Sequence, residues 1–140
     1  AIEMHLKDEA VYSDRRWLVY MLDQIIGNAV KYRGENPTLT FGADISSACG
    51  TEFWVEDNGT GIAQAELPYI FDKGYIGSCQ RNGGYRSTGM GLYFVKQTAD
   101  RLGIGVRASS GENNTRFTFT FQDHADYFFL DKPHQTLQKC

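Results

Sequence analysis

The apolar positions of the chain fall into short segments with two different periods. Ile2, Met4 and Leu6 alternate with Glu3 and His5, the two-residue period of a strand. Leu18, Leu22, Ile25, Ile26, Ala29 and Val30 then recur at helical spacing. Ser13 or Asp14 offers the oxygen that caps such a helix, so one is predicted to about Tyr32. Turn-forming residues 33–36 and Pro37 close it. Residues 38–44 and 51–57 predict two strands joined through 46–50 as a hairpin. Residues 63–70 predict a short helix in spite of Pro68. Residues 71–89 show no period, which predicts a long loop of the kind that carries function. Residues 92–102 are helical by pattern, and 105–109 with 115–121 predict a closing hairpin with Phe117, Phe119 and Phe121 on one face. The expected fold is α+β, a largely antiparallel sheet covered on one side by helices.

Composition narrows the class without changing this picture. The chain has 140 residues, a length that suits one domain. Residues 1–121 hold the pattern, and 122–140, with one apolar run at 127–130 in a mostly polar stretch, read as a tail or docking extension. Aromatic residues make up 14%, too many for a disordered chain. A net charge of −3 argues against a dedicated nucleic-acid partner. Cys49, Cys79 and Cys140 are odd in number and widely spaced, so reduced thiols are expected rather than a zinc site or a disulfide framework. No apolar run approaches the ~20 residues of a membrane span, and no signal peptide opens the sequence. It begins without Met, as a piece of a longer protein would.

Charge and glycine are unevenly spread. Eight of the 15 glycines lie between Gly59 and Gly91. Residues 52–72 hold five acids and no Lys or Arg, whereas 73–107 hold six bases (Lys73, Arg81, Arg86, Lys96, Arg101, Arg107) and one acid, Asp100. A basic, glycine-rich stretch beside a helix suits a polyphosphate ligand and equally suits a solvated loop.

Three local arrangements carry candidate chemistry. At about 100° per residue, Gln24, Asn28 and Lys31 share one stripe of the first helix, opposite the apolar set. Two amides and an ammonium in a row suit phosphates and a hard metal ion such as magnesium, though an ordinary solvated face would look the same. Asp57-Asn58-Gly59-Thr60-Gly61-Ile62 places a carboxylate at a strand end before two glycines. There a flat ligand can approach the backbone and donate an exocyclic amine to the acid. Ser87-Thr88-Gly89-Met90-Gly91-Leu92 opens the second helix, whose free N–H groups attract anions. It is not a dinucleotide fingerprint, since the third glycine is replaced by Phe94, and no P-loop is present.

Together, DQIIGNAVKY (23–32), DNGTGI (57–62), IFDKGYIG (70–77) and STGMGL (87–92) resemble the N, G1, F and G2 boxes of bacterial sensor histidine kinases. The resemblance is to their catalytic, ATP-binding domain, which shares a superfamily with gyrase, Hsp90 and MutL. The wording of the last two boxes resembles the small-anchor kinases that respond to peptide antibiotics such as bacitracin. The resemblance implies a two-layer α/β sandwich with a flexible ATP lid over about 71–89. It implies that Asn28 binds Mg²⁺, that Lys31 reaches the phosphates, and that Tyr32 lies beside the nucleotide. Asp57 would receive the adenine amine, with Gly59 and Gly61 admitting the base and Thr115 near it. Gly89 and Gly91 would face the phosphates, Arg81 and Arg86 would contact the γ-phosphate, and Gln24, Ile62, Phe71, Lys73, Gly74, Thr88, Met90 and Leu92 would complete the ATP site.

Gln24 departs from the family pattern. Many sensor kinases have Asn there, and the gyrase and Hsp90 branch has a Glu that activates water. Glutamine cannot act as a general base at neutral pH, so weak hydrolysis is expected and the γ-phosphoryl is kept for a protein acceptor. None of His5, His124 or His134 lies in an acceptor box. The resemblance therefore implies the catalytic half of a protein-histidine kinase, a cytoplasmic domain of a membrane-anchored homodimer that makes no membrane contact itself. Its partners would be its own dimerisation domain, carrying the acceptor, and a response regulator. A serine kinase of anti-sigma-factor type and a non-catalytic adenine-nucleotide sensor are the alternatives.

Overall fold

The computed structural model describes residues 1–6, 11–46, 50–77 and 90–122. In chain order these form β1 (Ile2–His5), α1 (Arg15–Lys31), β2 (Leu39–Ser46), β3 (Gly50–Asp57), a 3₁₀ turn (Leu67–Tyr69), α2 (Gly91–Leu102), β4 (Gly105–Gly111) and β5 (Asn114–Phe121). The five strands make one sheet in the order β1-β2-β3-β5-β4. Only β1–β2 is parallel; the other three pairings are antiparallel. The expected α+β sandwich is therefore the observed architecture.

Local chemistry sets the element ends. Asp14 caps α1 by accepting the Arg16 N–H at 2.9 Å and the Trp17 N–H at 3.5 Å. Gly103, at φ 70°, closes α2 in the left-handed conformation and returns its N–H to the carbonyls of Ala99 and Asp100. The short helix expected over 63–70 is reduced to the single 3₁₀ turn. Pro68 sits in its first turn, has no N–H to donate, and disfavours helical geometry in the residue before it.

Both helices pack on one face of the sheet. Met21, Ile25, Val95 and Ala99 meet Val55, Phe117, Phe119 and Phe121, all buried. Removing each large side chain from water contributes ~1.5–3 kcal/mol. Among the described residues no helix covers the other face, which side chains close. Trp54 lies flat against Gly42, where any side chain would collide with the indole. The Arg116 guanidinium stacks on that ring at 3.9 Å and bonds Glu56 at 2.7 Å, while the indole N–H donates to Asp44 at 3.1 Å. Arg107 reaches across β5 and donates to Glu52 through both terminal guanidinium nitrogens, at 3.0 and 3.1 Å. This cover explains how Thr118, on the polar side of β5, is only 5% exposed.

Two of the six bases counted over residues 73–107 are paired with carboxylates of the domain itself. Arg107 is spent on Glu52 and Lys96 on Asp100 at 2.9 Å. The strand and helix periods, not a ligand, decide where those two charges point. Among the described residues no helix is long and apolar enough to cross a membrane.

Candidate functional site

The stripe of Gln24, Asn28 and Lys31 does not lie opposite the core. The buried line of α1 runs through Met21, Ile25 and Ala29, and all three stripe residues are half-buried. Met21, absent from the apolar set read from the sequence, rotates the buried face toward them by one shoulder. The stripe thus borders the gap between α1 and α2. At that gap a Cβ built on Gly91, the first residue of α2, would lie 2.8 Å from Oε1 of Gln24.

Three chain segments converge on a corner farther along α1, at its C-terminal end. The Tyr32 carbonyl, at the end of α1, accepts the Thr60 N–H at 3.2 Å. A Cβ on Gly59 would stand 2.5 Å from the same oxygen, so only glycine lets the two segments touch. Gly61 has φ 74°, and a side chain there would strike the carbonyl of Gly111 in the β4–β5 turn. Ile62 donates its N–H to Oγ of Ser110 at 2.7 Å, and that hydroxyl also bonds the Asn114 carbonyl and Thr115. Asp57 and Thr115 are paired directly across β3 and β5.

Two charges at the corner are poorly solvated. Burial raises the pKa of the Asp57 carboxyl above its ordinary value, partly offset by the Gly59 N–H that it accepts at 2.9 Å. Burial lowers the pKa of Lys31, whose Nζ lies 5.5 Å from the centre of the Tyr32 ring. Among the described residues neither has an ion-pair partner. A half-buried carboxylate suits a neutral N–H donor such as an aromatic amine. An under-solvated ammonium suits an anion.

The other candidates occupy varied positions. Thr115 is buried, with its hydroxyl turned to Ser110 at 3.2 Å. Ile62, Phe71 and Leu92 pack against the core, and the Phe71 ring meets Phe117 edge-on at 6.2 Å. Lys73 and Gly74 are exposed, Gly74 at φ 74° in open space. Met90 takes the N-cap position of α2 with no side-chain hydrogen bond to the helix. Arg81, Arg86, Thr88 and Gly89 lie outside the described residues, as do most of the lid segment 71–89, the tail from 123, the three cysteines, His124 and His134. His5 is exposed, 3.9 Å from Glu3.

Two residues that hold the corner were not singled out from sequence. Asn58 accepts the Thr38 N–H at 2.7 Å and donates to the Asn36 carbonyl at 3.0 Å, stapling the strand end to the loop before β2. Its signal was present, since Asn in a D-N-G turn commonly bonds nearby backbone. Ser110 lies 48 residues from the N–H that it receives, and no local pattern announces it.

For magnesium, Asn28 offers one amide oxygen on the half-buried stripe. Among the described residues no group of three or more His, Cys, Asp or Glu could hold a metal unaided. A single hard oxygen fits an ion that keeps most of its shell from water and phosphates.

Residues 13–125 match the family described as histidine kinase-, DNA gyrase B- and HSP90-like ATPases. The sensor protein kinase GraS of Staphylococcus aureus (strain JH1) is 34% identical over 119 residues, covering 83% of this chain and 34% of that protein. The chain therefore spans about a third of the length of the curated relatives it matches. The structure of the mycobacterial sensor histidine kinase MprB superposes with a TM-score of 0.74 at 18% identity, over 86% of this chain and 81% of that one. Full-length ShkA, solved in complex with AMPPNP, does so with a TM-score of 0.69 at 23% identity, over 86% and 25%. At these identities the two structures establish the fold.

Proposed function

The chain belongs to the histidine kinase-, DNA gyrase B- and HSP90-like ATPase family, and from that premise we propose that it binds Mg·ATP and passes the γ-phosphoryl group to a histidine on a separate dimerisation domain of the same kinase. The convergence of the α1 end, the β3 end and the β4–β5 turn on one corner, at the end of the same helix whose Gln24 lies against Gly91 of α2, carries this reading. In it, Asp57 accepts the adenine amine, and Gly59 and Gly61 leave room for the base. Lys31 meets the phosphates, and Gly91 presents the unfilled N–H groups of α2 to them. Asn28 holds Mg²⁺, which supplies charge neutralisation on the phosphates when bound. Thr115 lies near the adenine, Tyr32 beside the nucleotide, and the lid arginines Arg81 and Arg86 contact the γ-phosphate.

Transfer needs little covalent work from the protein. An imidazole nitrogen of the acceptor forms a bond to the γ-phosphorus as the bridging O–P bond breaks and ADP leaves. The domain contributes position and positive charge. Gln24, unable to take a proton from water, keeps the γ-phosphoryl from hydrolysis. The phosphohistidine then serves an aspartate on a response regulator. In this reading residues 1–121 are the catalytic domain and 122–140 a tail or extension, and the domain works on the cytoplasmic side of a membrane-anchored homodimer.

The test mixes the chain with Mg·ATP and a panel of isolated dimerisation segments. Acid-labile phosphohistidine on at least one segment is expected. ATP binding with no segment ever labelled would favour a nucleotide-sensing module, and an acid-stable phosphoserine product would favour a serine kinase.

A further inference from the structure

Away from the nucleotide corner, the described residues do not fill the layer between helices and sheet. A cleft of about 250 Å³ opens between the first half of α1 and the sheet. Leu18, Met21 and Leu22 form its roof, and Phe53, Phe119 and Phe121 its floor. Phe53 pairs with Phe119 and Thr51 with Phe121, so the cleft lies at the end of the sheet remote from the Asp57–Thr115 pair. Ile45, opposite Thr51 at the same end, is 71% exposed. Protein interiors leave few voids larger than a water molecule, and an open cleft walled by leucine and phenylalanine marks the seat of an apolar group. Leu6 and Val11 line its side, but the residues joining them are Lys7, Asp8, Glu9 and Ala10, which bring no large apolar side chain.

The chain itself leads to this cleft. Phe121, in the floor, is the last residue of β5. After Gln122, Asp123, His124, Ala125 and Asp126 comes Tyr127-Phe128-Phe129-Leu130, followed by Asp131. Five connecting residues reach roughly 17 Å when extended, more than the ~10 Å that separates packed layers. The charges match as well. The first turn of α1 has no acid but begins with Arg15 and Arg16, at the positive end of the helix dipole. Arg16 faces Asp14 at 3.5 Å, and Arg15 has no ion-pair partner among the described residues.

We infer that residues 127–130 occupy the cleft of their own molecule, with the flanking aspartates set against Arg15 and Arg16. The segment completes the core beneath α1 and ties the C-terminus to the helix that carries Asn28 and Lys31. This inference does not depend on the nucleotide reading.

The full chain carrying Phe128→Ser and Phe129→Ser together is compared with the unaltered one. Its Tm is expected to fall by ~4 °C or more, with several-fold faster amide exchange over residues 18–22 and 51–53. ATP affinity is expected to stay within about twofold. Unchanged Tm and exchange would overturn the inference. Should the variant not fold, the unaltered chain decides by NMR in a mixture of isotope-labelled and unlabelled molecules. Contacts from the Phe128 and Phe129 rings to the Leu18 and Leu22 methyls are expected within single molecules. Their absence, or their appearance only between molecules, as for a second copy's tail, would contradict it.

Discussion

The side-chain oxygen of Gln24 on α1 lies against Gly91 at the start of α2, leaving 2.8 Å to the position a β-carbon would take. This contact joins the amide stripe to the helix terminus proposed to hold phosphates. Its tightness concerns the far end of a flexible side chain, so a small residue at 91 displaces Gln24 rather than the backbone.

Gly91→Ala therefore separates binding from stability. Alanine is a better helix residue than glycine by ~0.5–1 kcal/mol, so Tm should hold or rise slightly. ATP affinity should fall by roughly tenfold, the equivalent of ~1.4 kcal/mol, because the methyl group and the displaced amide intrude on the phosphates. Calorimetric titration and a thermal melt on the same sample check both halves.

Gly61 and Gly74 share φ 74° but not their surroundings. A side chain at 61 meets the Gly111 carbonyl, and one at 74 meets nothing within 4 Å. Gly74→Ala should lose about 1 kcal/mol from backbone strain alone. Gly61→Ala should lose ~2–4 kcal/mol, because strain and collision add. Urea unfolding of both variants tests the ordering, and equal losses would contradict it.

Burial raises the pKa of Asp57, and the sign of its effect follows. The native state holds this proton more tightly than the unfolded state. The group therefore adds stability at low pH and loses it as pH rises from the ordinary Asp value of about 3.9 through the higher native one. At pH 7 the ionised carboxylate is a net burden on the fold. Asp57→Asn should match or exceed the unaltered Tm at pH 7, with the gap closing toward pH 4. A variant clearly less stable at pH 7 would show that the carboxylate serves the fold.

Lys31 presents a charge whose burial already lowers its pKa. Lys31→Met should weaken ATP by at least ~10-fold, as expected for loss of a charge-assisted phosphate contact worth about 1.5–3 kcal/mol. It should leave adenosine almost unaffected. Equal losses for both ligands would place Lys31 against the base instead.

The parts legible in the sequence are those fixed by neighbours. Asp14 caps the helix that follows it, Phe117, Phe119 and Phe121 share a face through the two-residue period, and the glycines beside Asp57 announce a close approach. The parts that were not legible depend on partners far along the chain. Ser110 meets Ile62 across 48 residues, and Trp54 rests on Gly42 and Arg116 only because β3 lies between β2 and β5. The amide stripe was found by period, but its half-buried position depends on where α2 packs, which the period of α1 alone does not contain.

In the proposed function Asp57 receives the amine of adenine at the corner built by Gly59, Gly61 and the end of α1. Inosine triphosphate carries a carbonyl where ATP carries that amine and is otherwise closely similar, so a paired calorimetric titration isolates the contact. The unaltered chain should prefer ATP by at least ~10-fold, about 1.4 kcal/mol, and Asp57→Asn should lose that preference. Equal affinity for the two nucleotides in the unaltered chain, or a preference that survives Asp57→Asn, would contradict the role proposed for Asp57.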